Sequence, residues 1–243
     1  MLFSGGFDST LQANIIQPDI LLYVDMNSQY ASIEKKVLPT TSLPHFLKKR
    51  IIVTNTIDLS AYEEETTQYI PFRNIMLILL AMQHGQHIYL GFNEGDNAPD
   101  KDEYFIQSTT EYLKHFLGKK YRPEHWSSSN FKIEAPFRHN TKTEMVAQYL
   151  NDFDNSNKTK KYISSIRSCY HSTSVKGCGM CSPCVSKAVA LINNGISIDG
   201  VYDTPITLTT LKEYLGYQKI YRKNSRTYVD YKQAIITLRQ TKG

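Results

Sequence analysis

Ser4-Gly5-Gly6-Phe7-Asp8-Ser9-Thr10 follows the apolar Met1-Leu2-Phe3 and runs directly into a helical pattern that reaches Ile16 and stops before Pro18. Two adjacent glycines let the backbone adopt torsions and close approaches that side chains resist. Successive N–H groups in such a loop make an anion-binding concavity. The hydroxyls of Ser4, Ser9 and Thr10 add donors, and a helix starting near Asp8 aims its positive end at the same point. The stretch reads as strand, phosphate loop and helix, the opening unit of a parallel α/β domain. The alternative is an ordinary Gly-Gly turn capped by Ser or Asp. Asp8 is a poor neighbour for phosphate unless it binds Mg²⁺ or caps the helix. No Gly-Lys-Ser/Thr follows, so this is not a Walker loop.

Working outward, apolar runs alternate with amphipathic segments, the pattern of a parallel sheet covered by helices. Strands are expected at Met1–Phe3, Asp19–Asp25, Ile51–Thr54, His87–Phe92 and Phe131–Ala135. Helices are expected at Asp8–Ile16, Asn74–His84 and Glu103–Leu117, and at Thr141–Leu150 behind the capping box Thr141-x-x-Glu144. Asn151–Asn157 reads as a loop. Further helices are expected at Pro183–Asn193, Thr210–Leu215 and from Tyr231, with a hairpin turn at Asn224–Ser225. With 243 residues, 41% of them hydrophobic, one large domain and a small appendage can be filled. The expected division is 1–160, 161–202 and 203–243.

No apolar run approaches the roughly 20 residues a bilayer crossing needs, and no charged leader precedes an apolar stretch, so the expectation is a cytoplasmic chain without membrane contact. The net charge of +5 concentrates at the C-terminal end. From Gly216 onward seven basic residues face a single acid, Asp230, a local +6. Such a tail contacts polyanions or forms a solvated basic surface.

All four cysteines, Cys169, Cys178, Cys181 and Cys184, fall in one short stretch. A secreted disulfide framework would spread them, whereas clustered C-x-x-C spacing favours metal. Four thiolates fill a tetrahedral structural Zn²⁺ and leave no open position for water. An Fe–S cluster also takes four cysteines, and a catalytic persulfide is a further alternative.

Ser4-Gly5-Gly6-x-Asp8-Ser9 resembles the SGGxDS signature of PP-loop ATP pyrophosphatases. That resemblance implies a Rossmann-like parallel sheet of the adenine nucleotide α-hydrolase type. It also implies ATP cleavage between the α- and β-phosphates, with Ser4, Gly5, Gly6, Phe7, Asp8, Ser9 and Thr10 on the nucleotide. Ser168-Cys169-Tyr170 and Cys178-Gly179-x-Cys181-x-x-Cys184 are similar to the zinc segment of 7-cyano-7-deazaguanine synthases. Ile70-Pro71-Phe72-Arg73-Asn74, Leu90–Asp96, and Ala135-Pro136-Phe137 with Thr141–Val146 resemble three further segments of that family, in order. The similarity spans roughly Met1 to Asp199.

The resemblance implies Zn²⁺ at the four cysteines and ATP with Mg²⁺ at the loop. It gives catalytic roles to Asp8, Arg73 and Lys142, and substrate contacts to Asn74, Gly91, Asn93, Asp96 and Asp100. By their own chemistry, Arg73 binds an anion or makes a surface ion pair, and Asp96 and Asp100 hold Mg²⁺, meet a purine-like edge or are solvated. Lys142 stands against its helix dipole, which calls for an anionic partner or solvent. The implied reaction converts 7-carboxy-7-deazaguanine and ammonium to the nitrile through adenylated intermediates, in a homodimer. Two departures bear on substrate. Ala98-Pro99-Asp100-Lys101-Asp102-Glu103 stands where the family has Tyr-Pro-Asp-Cys-Arg-Pro, and Ser28-Gln29-Tyr30-Ala31 where it has Gly-Gln-Arg-His. Two rival readings are a PP-loop enzyme on another acceptor, such as a tRNA-modifying thiolase, and a zinc-stapled nucleic-acid-binding protein.

Overall fold

The computed structural model describes residues 1–38, 43–55, 57–66, 69–96, 98–117, 129–171, 176–222 and 225–240. Asn224, half of the expected tail turn, lies outside them. The chain is mixed α/β with parallel strands. Helix α1 (Phe7–Ile16) ends where Gln17 turns left-handed, at φ 52°, ahead of Pro18. Strands β1 (Leu21–Val24) and β2 (Ile51–Thr54) pair in parallel, with Leu21 opposite Ile51. Strands β3 (His87–Tyr89) and β4 (Lys132–Glu134) form a second parallel pair, with Ile88 opposite Ile133. These runs are rich in β-branched and aromatic residues, which fit the pleated surface.

The expected single sheet is instead resolved into these two pairs, and Met1–Phe3 is no full strand but one bridge, Leu2 to Leu22. The reason is length. Three residues offer only two inward amides, yet both are used: Leu2 N donates to Tyr89 O at 3.0 Å and Phe3 N to Leu22 O at 2.9 Å. The N-terminal segment thus lies between β1 and β3 and hydrogen-bonds to each.

Around the strands lie α2 (Ala31–Val37), α3 (His45–Lys48), α4 (Arg73–Ala81) and α5 (Glu103–Leu117). One apolar cluster joins Leu22, Val24, Ile78, Ile88, Leu113, Phe131 and Ile133, so α4 and α5 cover the strands from both flanks of the sequence. Helix α6 (Lys142–Asp152) starts at the capping box read from sequence: Thr141 Oγ1 accepts from Glu144 N at 3.2 Å and Glu144 Oε2 from Thr141 N at 2.8 Å. Helix α7 (Asn157–Ser165), which the polar composition had hidden, is capped by Ser156.

Helix α8 (Ser182–Asn193) belongs to two clusters. Ala190 and Leu191 pack with Phe7, Leu11 and Val146, while Val185 and Val189 pack with Cys169, Tyr202 and the tail. Buried Lys187 of α8 donates to Ser164 O and Ile166 O, both at 2.6 Å, and so satisfies carbonyls at the end of α7. The tail is a helical hairpin, α9 (Leu208–Arg222) and α10 (Arg226–Gln240), longer than expected at both helices. Its inner residues Leu211, Tyr231, Ala234, Ile235 and Leu238 are buried against α8. Among the described residues no helix is long and apolar enough to cross a membrane.

Candidate active site and metal centre

Gly5 sits at φ +74°, a torsion that favours glycine, and Gly6 is the N-cap of α1. Among the described residues no side chain caps α1, so its leading amides could meet an anion. The loop is held in shape by its own hydroxyls. Ser4 Oγ accepts from Gly6 N at 3.3 Å and lies 3.2 Å from Ser9 Oγ, and Ser9 Oγ donates to Gly6 O at 3.2 Å. Thr10 differs from its neighbours: it is fully buried and does not line the cavity above the loop.

That cavity holds about 620 Å³ and is lined by Ser4–Ser9, Arg73, Asn74, Gly91, Asn93, Asp96 and Lys142. Residues from four separate stretches of sequence therefore converge on one space. Lys142, the first residue of α6, is ion-paired with Asp8 Oδ2, which also accepts from Asn93 Nδ2 at 3.1 Å. Asp8 Oδ1 is buried and has no hydrogen-bond partner among the described residues. Asp96 accepts from Lys101 Nζ at 2.8 Å and from Asn93 N at 3.0 Å. Burial pushes the Asp96 pKa up, but the charges of Lys101 and Lys142 and the two hydrogen bonds outweigh it, so the carboxyl titrates below its ordinary value.

Arg73 opens α4 behind Phe72, which is left-handed at φ 60°. Buried Asn74 donates to Asp100 O at 3.2 Å. Asp100 is buried and is not among the residues that line the cavity, and among the described residues both of its carboxylate oxygens lack hydrogen-bond partners.

Several lining residues escaped the sequence reading. Glu34 of α2 accepts from Tyr23 OH at 3.3 Å, and burial, relieved only in part by that bond and by Arg73, pushes its pKa up to about 7. Tyr30 stacks on Tyr170 with ring centroids 4.5 Å apart, joining the segment after β1 to the cysteine stretch. Lys101 stands inside the departing Ala98–Glu103 segment, and its salt bridge with Asp96 gives that substitution a role at the site. The signal for Glu34 lay one helical turn beyond Ala31, where the reading stopped.

The four cysteine sulfurs lie within 4.8 Å of one another. His171 N and Cys178 N both donate to Cys169 Sγ, and Met180 N and Cys181 N to Cys178 Sγ, all at 3.4 Å. Amides aimed at sulfur stabilise thiolates. The hydrogen bond with Cys184 holds the Cys181 thiol below its ordinary value. This donor set fits a tetrahedral Zn²⁺.

The knuckle glycines are needed for space. A Cβ on Gly177 would meet Cys184 Sγ at 2.8 Å, and one on Gly179, at φ +78°, would meet Thr204 O at 1.9 Å. Tyr214 OH of α9 donates to Met180 O at 2.6 Å and ties the hairpin to the knuckle.

The sequence model of the family described as "Queuosine biosynthesis protein QueC" matches residues 19–195. No curated protein and no solved structure matches the chain. The matched span contains β1 through α8 and the four cysteines. It leaves out the glycine loop before it and the helical hairpin after it.

Proposed function

The chain belongs to the QueC family of queuosine biosynthesis proteins, and on that premise we propose that it converts 7-carboxy-7-deazaguanine to 7-cyano-7-deazaguanine with ammonia and ATP. The observation that carries the reading is the convergence of the glycine loop, Asp8, Lys142, Asn93 and Asp96 on one cavity. A Rossmann-like arrangement is part of the same proposal. It is supported by the placing of Met1–Phe3 between β1 and β3, which puts the loop where the strand order changes direction, the position at which open parallel sheets bind nucleotides.

The chemistry runs in two rounds. The substrate carboxylate attacks the α-phosphorus of ATP, pyrophosphate leaves, and ammonia displaces AMP from the acyl-adenylate to give the amide. The amide oxygen attacks a second ATP, pyrophosphate leaves again, and loss of AMP with two N–H protons yields the nitrile. The loop amides and the Ser4 and Ser9 hydroxyls hold the departing pyrophosphate. Lys142 and Arg73 offset charge that grows at the α-phosphate and the leaving group. Asp8, with one free oxygen beside a phosphate loop, and Asp96 fit Mg²⁺, which supplies charge neutralisation of the triphosphate. Cys169, Cys178, Cys181 and Cys184 would hold Zn²⁺ as a structural pin between α8 and the hairpin.

In this reading residues 1–160 form the nucleotide domain, 161–202 the zinc-binding part and 203–243 the basic extension. A cytoplasmic homodimer belongs to the same reading. Exposed Lys219, Lys232 and Arg239 support polyanion contact along the extension, whereas Arg226 is engaged with Glu144. The deciding experiment incubates metal-replete protein with ATP, Mg²⁺, ammonium and 7-carboxy-7-deazaguanine and reads the products by mass spectrometry. The nitrile with two AMP per turnover is expected. AMP formed only with another acceptor would redirect the assignment to a different PP-loop substrate.

A further inference from the structure

The hairpin α9–α10 lies beyond the family-matched span, yet it reaches the cavity: Gln218 of α9 and Thr227, Asp230 and Tyr231 of α10 line it. Its docking is polar and directed. Arg226 N donates to Glu94 Oε1 at 3.1 Å, and Thr227 Oγ1 donates to the other oxygen of the same carboxylate. Arg226 Nη1 meets Glu144 Oε1 at 2.5 Å. Asn193 Nδ2 donates to Asp230 O at 2.9 Å and Tyr231 OH lies 3.0 Å from Ser186 Oγ. These bonds press the first turns of α10 against the segment after β3 and against α6 beside Lys142. The hairpin therefore contributes to the cavity wall and is anchored to the segment that follows β3.

Two side-chain acceptors sit on this wall, Gln218 and Asp230. Gln218 Oε1 is buried with no hydrogen-bond partner among the described residues. The Asp230 carboxyl is partly buried and is hydrogen-bonded by the hydroxyls of Thr141 and Thr143, and its charged neighbours are two acids, Glu144 and Glu94. Among the described residues no lysine or arginine forms an ion pair with it, because Arg226 is spent on Glu144. A carboxylate withdrawn from water without a cation is costly until N–H donors reach it. A 2-amino-oxo-pyrimidine ring presents two adjacent N–H donors along one edge, which a carboxylate accepts side by side.

We propose that the hairpin forms the acceptor subsite of the cavity, with Asp230, assisted by Gln218, selecting an acceptor through the N–H edge of its 2-amino-oxo-pyrimidine ring. The inference rests on the adenylation reading above and extends it to residues outside the family-matched span.

The test compares wild type, Asp230→Asn and Gln218→Leu on two acceptors, 7-carboxy-7-deazaguanine and its analogue lacking the 2-amino group. Asp230→Asn should raise the acceptor KM about 10- to 100-fold, leave the ATP KM within about twofold and erase most of the wild type's preference for the 2-amino acceptor. Loss of that preference is a readout a merely structural role would not move. Gln218→Leu, on a half-exposed helix face, should shift the acceptor KM in the same direction and carries the test if Asp230→Asn lowers the melting temperature. Variants that keep wild-type acceptor KM and preference, or that slow both acceptors equally, overturn the subsite. A wild type that forms no nitrile overturns the adenylation reading and this inference with it, an outcome distinct from a variant-specific null.

Discussion

Lys142 and Asp8 are ion-paired across 134 positions of sequence, joining the first turn of α6 to the first turn of α1 above the glycine loop. A lysine in a helix's first turn opposes the dipole, and an aspartate in a first turn favours it. The pair settles the conflict locally and leaves a cation and a carboxylate beside the glycine loop. Both side chains remain a quarter exposed. The pair therefore contributes at most about 1 kcal/mol to folding.

Lys142→Met is accordingly expected to leave the melting temperature nearly unchanged and to lower kcat/KM for AMP formation by roughly 100-fold or more. Steady-state AMP release alongside a thermal melt separates the two effects. A variant that melts early and retains catalysis per folded molecule would assign the pair to structure alone.

A structural metal at the four cysteines predicts uniform sensitivity. Replacing any of Cys169, Cys178, Cys181 or Cys184 by Ser should abolish stoichiometric zinc and lower the melting temperature by on the order of 10 °C. Elemental analysis and calorimetry on the four variants check this. If one cysteine alone governed turnover and the other three were dispensable for metal and stability, sulfur transfer would replace the structural zinc.

Two glycines should answer oppositely to alanine. Gly179→Ala places a methyl group into Thr204 O from a left-handed torsion, and more than about 3 kcal/mol of stability should be lost. Gly216 lies inside α9 with nothing within 4 Å of an added Cβ, so Gly216→Ala should stabilise by about 0.5–1 kcal/mol. Chemical denaturation of both variants gives the comparison.

Glu34 sets a pH trend. Its folded pKa of about 7 lies above the ordinary 4.5. Between these values the folded state binds more protons than the unfolded one, so stability from this group falls as pH rises from 4.5 to 7. Glu34→Gln should flatten that part of the profile and be more stable than wild type at pH 8 but not at pH 4. Melts across pH 4–8 decide it, and parallel profiles for the two proteins would remove Glu34 as the source.

The parts legible in sequence were those whose physics is local. The Gly5-Gly6 loop, the Thr141–Glu144 capping box and the cysteine spacing each carry their geometry within a few residues. What stayed hidden depends on distant partners. Helices α2 and α7 are short and polar, so their periodicity is weak, and the latter is decided by the Ser156 cap. The two sheet pairs meet through a three-residue segment whose pairing no propensity scale can weigh. The Tyr30–Tyr170 stack joins segments 140 residues apart, and the bond from Arg226 to Glu94 spans 132. The basic tail, whose charge reads as polyanion contact or a solvated surface, also carries Asp230, its one acid, at the cavity wall.

Tyr214 ties one arm of the hairpin to the cysteine knuckle at Met180, and Arg226 and Thr227 tie the other to Glu94, next to the cavity-lining Asn93 and Gly95. A single pair of helices thus touches both the cysteine cluster and the cavity. If the cysteines hold an ion and the cavity an acceptor, free energy that the ion spends on rigidifying that brace would be returned on acceptor docking, and thermodynamic reciprocity would have the acceptor tighten the ion by the same factor. Zinc here would then act as a remote tuner of affinity, so that a chain short of metal loses grip on its acceptor before it loses its shape.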